Sequence, residues 1–138
     1  MWKEKYRIGV ELIDEQHKEL FRRVTEFIKT VQSQESWEKK LVHVQETLEF
    51  MKDYVVIHFA DEETYQAEIA YPEREKHQAT HEQFKAEIEK YVAKLNDDGY
   101  NEETVKELGG RLLAWLVYHV AGDDQKIGRY VAQGKVVK

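Results

Sequence analysis

The chain has 138 residues, of which 41% are hydrophobic and 35% charged, and its net charge is −6. This length fits one domain with a buried core, and the acidic charge argues against a nucleic-acid surface, which concentrates Lys and Arg. Because cysteine is absent, disulfides and thiolate chemistry are excluded. Apolar runs fall far short of the roughly 20 residues of a membrane span, and none near Met1 has the form of a secretory signal. We therefore expect one soluble, cytoplasmic domain over residues 1–138, without membrane or nucleic-acid partners.

After a short arm at residues 2–12, four segments carry inward positions at alternating steps of three and four residues. This period is typical of amphipathic helices, and the single Pro and seven Gly leave little punctuation for strands. Short connections make neighbouring helices antiparallel. The pattern predicts an all-α, up-down-up-down four-helix bundle with an extended N-terminal arm and a short C-terminal helical segment. The inward positions are Ile13, His17, Leu20, Val24, Phe27 and Val31; Leu41, Val44, Leu48, Met51, Val55, His58 and Glu62; His77, His81, Phe84, Ile88, Tyr91 and Leu95; and Val105, Leu108, Leu112, Trp115 and His119.

Residues that favour helix ends flank these segments. Asp14 and Ser36 are candidate N-caps of the first and second helices, and Pro72 suits the first turn of the third. Gly99 is free to take the left-handed conformation that ends the third helix. Asn101, followed by two acidic residues, is expected to open the fourth.

Six polar residues lie on inward stripes, where a buried imidazole or carboxylate needs a partner. They are near the start of the first and third helices and the end of the second and fourth, which meet at one end of such a bundle. His43 lies about 100° away from its stripe, so we expect it to be solvated or on a side face and assign it no metal role. The six are His17, His58, Glu62, His77, His81 and His119.

Five imidazoles and a carboxylate exceed the ligand set of one tetrahedral zinc and suit two metal ions that share bridging oxygen ligands. Asp123 or Asp124 supplies a second carboxylate. An ideal helix favours Asp123, four residues after His119, whereas a helix that ends or loosens at Gly122 would let Asp124 turn inward. The simpler alternative, a set of unrelated hydrogen-bonded core histidines, leaves their common level unexplained.

Motifs spread over nearly the whole chain resemble those of the hemerythrin family. A chain of this length with these motifs is similar to the bacteriohemerythrins, the stand-alone members of that family. The motifs are Trp2…Tyr6…Gly9-Val10…Ile13-Asp14-Glu15-Gln16-His17-Lys18, His58-Phe59-Ala60-Asp61-Glu62-Glu63, Tyr71-Pro72…His77-x-x-x-His81-x-x-Phe84, and Trp115-Leu116-x-x-His119-x-x-x-x-Asp124.

The resemblance implies a four-helix bundle with a non-haem di-iron centre that binds O2 reversibly. Its spacing places the second carboxylate at Asp124, against the simple helix count. One iron keeps an open position for O2. In the implied assignment, His77, His81 and His119 hold one iron, His17 and His58 hold the other, and Glu62, Asp124 and an oxo or hydroxo group bridge the pair.

Five apolar residues are placed to form a dry wall around the open position, although core packing alone would also explain them. Among these, Leu116 matches a pocket leucine of the family. Two residues depart from the family pattern: Gln66 stands where many relatives carry methionine, and Ile127 where some carry tyrosine. The five wall residues are Ile13, Phe59, Trp115, Leu116 and Val120.

We expect a monomeric O2 carrier or store, not an enzyme, that holds O2, transports it or delivers it to an oxygen-requiring enzyme. Five neutral imidazoles to two carboxylates favour carrying over activating O2, because anionic ligands stabilise the higher oxidation states of iron. One alternative is a sensor of O2 or redox state that acts through a partner. Others are a di-iron oxidase or a peroxide- or nitric-oxide-reducing enzyme, and a metal-free or iron-sequestering bundle.

Overall fold

A computed structural model describes residues 2–132 and shows the predicted all-α bundle. The helices in the described range are a 3-10 turn at Glu4–Tyr6, α1 at Glu11–Gln32, α2 at Trp37–Glu68, α3 at Arg74–Asp98, α4 at Glu102–Tyr118, and α5 at Asp124–Ala132, with a π-helical turn at His119–Asp123 between the last two.

Four long helices form the bundle, in which α1 packs against both α2 and α4, and α2 packs against α3. The short α5 continues from α4 and is the predicted C-terminal helical segment. No strand occurs within residues 2–132. Over the same residues, no helix is both long enough and apolar enough to cross a membrane.

The predicted inward stripes form the core of the bundle. Nearly all stripe positions are buried, and Leu41, Tyr91 and Trp115 are half-buried. A second, smaller apolar cluster closes the bundle where α1 begins and α2 ends, and it joins the arm, the α2–α3 turn and α5. Its buried members are Ile8, Ile13, Ile69, Tyr71 and Ile127.

The arm is attached through Asp14, whose predicted capping role is wrong. The helix begins at Glu11 with Val10 in the cap position. The Asp14 carboxylate accepts backbone N–H groups from Ile8 at 2.8 Å and from Gly9 at 3.1 Å. This buried aspartate therefore ties the arm to α1 from inside the first turn, because the arm folds back over the helix start.

The other helix-end predictions hold in part. Ser36 is in the N-cap position of α2 but makes no side-chain capping hydrogen bond within the described residues. Pro72 lies in the turn before α3, which begins two residues later at Arg74, so its predicted place inside the helix is wrong. Gly99 ends α3 with φ 85°, and the Asn101 side chain accepts the Thr104 N–H at 2.8 Å, as predicted.

Candidate metal centre

The structure brings all seven predicted ligands together inside one end of the bundle. Helix α1 contributes one imidazole, α2 an imidazole and a carboxylate, α3 two imidazoles, the π-helical turn one imidazole and α5 one carboxylate. His77 is 6% exposed and the other six are at most 1% exposed. The seven are His17, His58, Glu62, His77, His81, His119 and Asp124.

The five imidazoles form two groups. The ring centroids of His17 and His58 are 4.8 Å apart, and those of His77 and His81 are 4.7 Å apart. The His119 ring belongs to the second group, because its centroid lies 5.0 and 4.9 Å from His77 and His81 but 6.4 Å from both His17 and His58.

Glu62 lies between the two groups and turns one carboxylate oxygen toward each. Its Oε2 lies 3.5 Å from His17 Nε2 and 3.2 Å from His58 Nε2. The other carboxylate oxygen, Oε1, faces the second group, with Nε2 distances of 3.1 Å to His77, 3.2 Å to His81 and 3.5 Å to His119. A carboxylate in this position can bridge two metal ions.

Asp124 also spans the site. Its Oδ2 lies 2.8 Å from His17 Nε2 and 3.1 Å from His119 Nε2, and its Oδ1 lies 2.9 Å from His77 Nε2. Both groups of imidazoles therefore approach both carboxylates.

A π-helical turn explains why Asp124, rather than Asp123, faces inward. The Asp124 N–H donates to the His119 carbonyl, five residues back, so one wide turn aligns these two side chains. Asp124 is fully buried, whereas Asp123 is half-buried. The simple helix count is thus wrong at this position, and the chain continues as helix beyond Gly122 rather than ending there. Such π turns are rare and frequently lie at functional sites.

The nitrogen and oxygen atoms at the centre of the site form a better set of metal ligands than of hydrogen-bond partners. The Nε2 atoms of all five imidazoles and all four carboxylate oxygens are buried. Several approach one another closely, as His17 and Asp124 do at 2.8 Å, but none of these contacts has the geometry of a hydrogen bond in residues 2–132. Each unpaired buried polar group costs roughly 1–3 kcal/mol. Imidazole nitrogen with carboxylate oxygen is a donor set for iron and similar transition metals. The residues present therefore fit two metal ions that share carboxylate ligands.

Electrostatics within the site keep both carboxylates ionised. Burial would raise the pKa of Glu62, but the imidazoles around it, His119 foremost, lower its pKa well below the usual value. The pKa of Asp124 is also lowered, since His119 and His17 outweigh burial and the neighbouring Glu62. Metal ligands must be deprotonated, and these two carboxylates meet that condition.

The pKa values of the buried imidazoles shift in different directions. Burial alone would lower the pKa of His17, but Asp124 and Glu62 outweigh it and raise the pKa to about 10. The pKa of His77 is raised for the same reason, mainly by Asp124. For His58, burial dominates and lowers the pKa, which favours the neutral, ligating form.

Gln16 is a supporting residue that the sequence reasoning missed. Its Oε1 accepts the Nδ1–H of His58 at 2.8 Å, and its own amide N–H donates to Asp61 Oδ2 at 2.7 Å. This arrangement leaves the lone pair of His58 Nε2 directed into the site. The sequence signal that could have found Gln16 is its position next to His17. In the structure, Gln16 lies on the inner side of α1 and is 6% exposed.

The five predicted wall residues do not all lie in the same place. Phe59 stacks on the His81 ring at 3.9 Å, and the half-buried Trp115 stacks on His119 at 4.6 Å. Both aromatic rings therefore cover the three-imidazole group. Leu116 and Val120 are fully buried in the main core, whereas Ile13 lies in the small cluster that closes the end of the bundle.

His43 lies away from the site, as predicted. Its side chain is 60% exposed, and its nearest acidic group is Glu46, with the His43 Nδ1 and Glu46 Oε2 atoms 3.9 Å apart. Of the two departures from the family pattern, Ile127 is fully buried in the small cluster, and Gln66 lies directly behind His77.

A helical bundle with five imidazoles and two carboxylates buried at one end belongs to the class of histidine-rich, metal-binding four-helix proteins. Comparison with known proteins identifies the family. The family model described as "Hemerythrin HHE cation binding domain" matches residues 8–131. This chain belongs to the hemerythrin family, as its motifs indicated.

Individual relatives agree with the family assignment. The bacteriohemerythrin of Stenotrophomonas maltophilia is 32% identical over 91% of this chain and 76% of its own length. The bacteriohemerythrin of Clostridium acetobutylicum is 24% identical over 91% and 96%, and the myohemerythrin of Theromyzon tessulatum is 26% identical over 91% and 88%. Membership of this family supports the interpretation of the chain as a non-haem iron protein that binds O2.

Proposed function

We propose that this chain binds O2 reversibly at a non-haem di-iron centre and acts as a carrier or store that supplies oxygen-requiring enzymes. The observation that carries the proposal is the position of Glu62, a fully buried carboxylate with one oxygen facing each group of imidazoles. A single metal ion would need only one of these groups.

The grouping of the rings supports one assignment of ligands. When bound, the two irons supply the electrons and the vacant coordination position that O2 binding requires. The group with three imidazoles would fill more positions on its iron, so we place the vacant position at the group with two. His77, His81 and His119 would hold one iron, His17 and His58 the other, and Glu62 and Asp124 both.

The composition of the site favours carrying over catalysis. Di-iron bundles with the Glu-x-x-His motif are richer in carboxylates, and anionic ligands stabilise the higher oxidation states of iron. Here imidazoles, which are neutral when they bind a metal ion, outnumber carboxylates five to two. Reversible binding needs a centre that returns its electrons readily, and such a ligand set provides it.

The surroundings of the site limit the access of water, whose protons would otherwise trap the oxidised state. Phe59 and Trp115 lie flat against rings of the three-imidazole group, and Leu116 is fully buried in the core cluster that contains Phe59. An apolar shell of this kind controls both solvent access and the local dielectric. We propose that these side chains protect the reversibility of binding.

A visible spectrum of iron-loaded protein tests the proposal. We expect about two irons per chain and an absorption band that appears with O2 and disappears on deoxygenation, over repeated cycles. Continuous consumption of O2 with stoichiometric loss of reductant would instead identify an enzyme. Protein purified from iron-replete cells without iron would contradict the metal centre itself.

A further inference from the structure

Gln66 is a buried polar residue that the proposed O2 chemistry does not use. It lies one turn after Glu62 on α2, is 0% exposed, and places its amide nitrogen 2.7 Å from Nδ1 of His77. Its other amide atom, Oε1, is buried and has no hydrogen-bond partner among the described residues. Methionine has a similar size but lacks an amide.

The contact is on the outer side of the His77 ring. The opposite nitrogen, Nε2, faces the carboxylates of Glu62 and Asp124 at 3.1 and 2.9 Å. If Nε2 binds a metal ion, the proton of the neutral ring must be on Nδ1, and that N–H then needs an acceptor. Rotation of the Gln66 amide by 180° would place Oε1 at this position without moving the rest of the side chain.

A second glutamine on an imidazole provides an internal comparison. Gln16 contacts Nδ1 of His58, but its amide is held in one orientation because its nitrogen donates to Asp61. Gln66 has no such second contact on Oε1 in residues 2–132, so its amide is free to turn. A glutamine amide therefore contacts Nδ1 of an imidazole in both groups of ligands. The amide orientation is fixed for Gln16, whereas the amide of Gln66 can rotate.

His77 is also the ligand with most need of support. It is 6% exposed, more than the other six candidates, and it lies in the first turn of α3, which begins at Arg74. A hydrogen bond from the interior of α2 holds this ring against motion of the helix start.

We propose that Gln66 is a positioning residue for His77, which accepts the Nδ1–H of the metal-bound imidazole and so fixes the ring with its Nε2 lone pair toward the iron. This inference rests on the proposed di-iron centre. An acceptor on Nδ1–H makes Nε2 a stronger electron donor, and losses of such partners typically cost 10–100-fold in metal affinity. The residue would therefore strengthen iron retention and lower the reduction potential.

Two substitutions with opposite expected effects test the role of Gln66. Gln66→Met keeps the volume but removes the acceptor, so we expect iron release to a chelator to quicken by about tenfold or more and the reduction potential to rise. Gln66→Glu keeps an acceptor, and we expect it to retain iron at least as well as the parent and to lower the potential. Gln45→Met, on the exposed face of the same helix, is the control and should change neither quantity.

The outcomes separate this inference from the proposed function. A parent protein with two irons and reversible O2 binding, together with a Gln66→Met variant of unchanged release rate and potential, would overturn the role of Gln66 alone. Equal shifts in the Met and Glu variants would also overturn it, because they would report packing rather than hydrogen bonding. A parent protein unable to hold iron would overturn both. Thermal unfolding of each variant verifies that it is folded.

Discussion

The two ends of the bundle bury opposite kinds of side chain. At the end where α1 finishes and α4 begins, the core contains apolar residues such as Phe27, Val44 and Leu108, all at most 1% exposed. At the other end, α1, α2, α3, the π-helical turn and α5 bury five imidazoles and two carboxylates, all at most 1% exposed except His77 at 6%. Burial alone therefore does not distinguish a structural core from a binding site; the chemistry of the buried atoms does.

The energetic consequence differs between the two ends. Full burial of a large apolar side chain stabilises the fold by about 1.5–3 kcal/mol, whereas each unpaired buried polar group costs roughly 1–3 kcal/mol. The apolar end thus holds the metal-free bundle together, and the ligand end gains its full stability only when metal ions occupy it. Substitutions at the apolar end should therefore change the free energy of unfolding, and substitutions at the ligand end should change the iron content.

The largest effect is expected from loss of a shared carboxylate. Asp124→Ala removes both oxygens that approach His17, His77 and His119, so we expect iron to fall from two per chain to one or fewer. Asp123→Ala, one residue earlier, should retain both irons. Iron assays on the two purified proteins measure this directly, and the reverse result would mean that the π-helical turn does not set the ligand.

This position also shows how far sequence reasoning reaches. The stripes on all four helices follow from residue period, because one face of each helix must be buried. The inward turn of Asp124 depends instead on a backbone hydrogen bond five residues long, which residue spacing alone does not reveal. Only the family resemblance selected Asp124 over Asp123.

Specific polar contacts, both those of the arm and those between helices, could not be predicted from the sequence either. Asp14 has the sequence character of a helix cap, yet it binds the N–H groups of the arm, because the arm folds back across α1. Gln16 and Gln66 have the polar character of surface residues, and only the packed bundle shows that each reaches the back of an imidazole. Periodicity predicts which face is inward, but not which polar pair meets there.

A cavity at the apolar end should lower stability without affecting metal binding. Leu108→Ala removes a buried side chain that is 1% exposed, and such changes typically cost 2–5 kcal/mol. Denaturant unfolding of the metal-free protein measures the loss, and the folded variant should still bind two irons. Leu12→Ala, at a leucine 57% exposed, is the control and should change stability by at most about 0.5 kcal/mol. Iron loss from folded Leu108→Ala protein would mean that the two ends are not independent.

A smaller, kinetic effect is expected at the boundary between the two ends. Leu116→Ala opens a cavity in the core three residues before His119, and we expect a several-fold faster autoxidation of the O2-bound protein because water gains access to the site. Leu112→Ala removes the same atoms one turn earlier on α4, at a leucine 2% exposed. This control should lose stability while it retains the parent autoxidation rate, as followed by the decay of the O2 band. Equal rates in both variants would exclude Leu116 from the wall of the site.

The smallest effect is expected at a histidine outside both ends. His43 is 60% exposed and 3.9 Å from its nearest acidic group, Glu46, so it neither fills the core nor donates to the ligand cluster. We expect His43→Ala to keep two irons per chain and to change the free energy of unfolding by less than about 0.5 kcal/mol. Because imidazole is the commonest metal ligand in proteins, unchanged iron content would show that position on the inward stripe, rather than residue type, determines which histidines bind iron. A loss of iron in this variant would contradict the assignment of faces on α2, and with it the placement of His58 and Glu62.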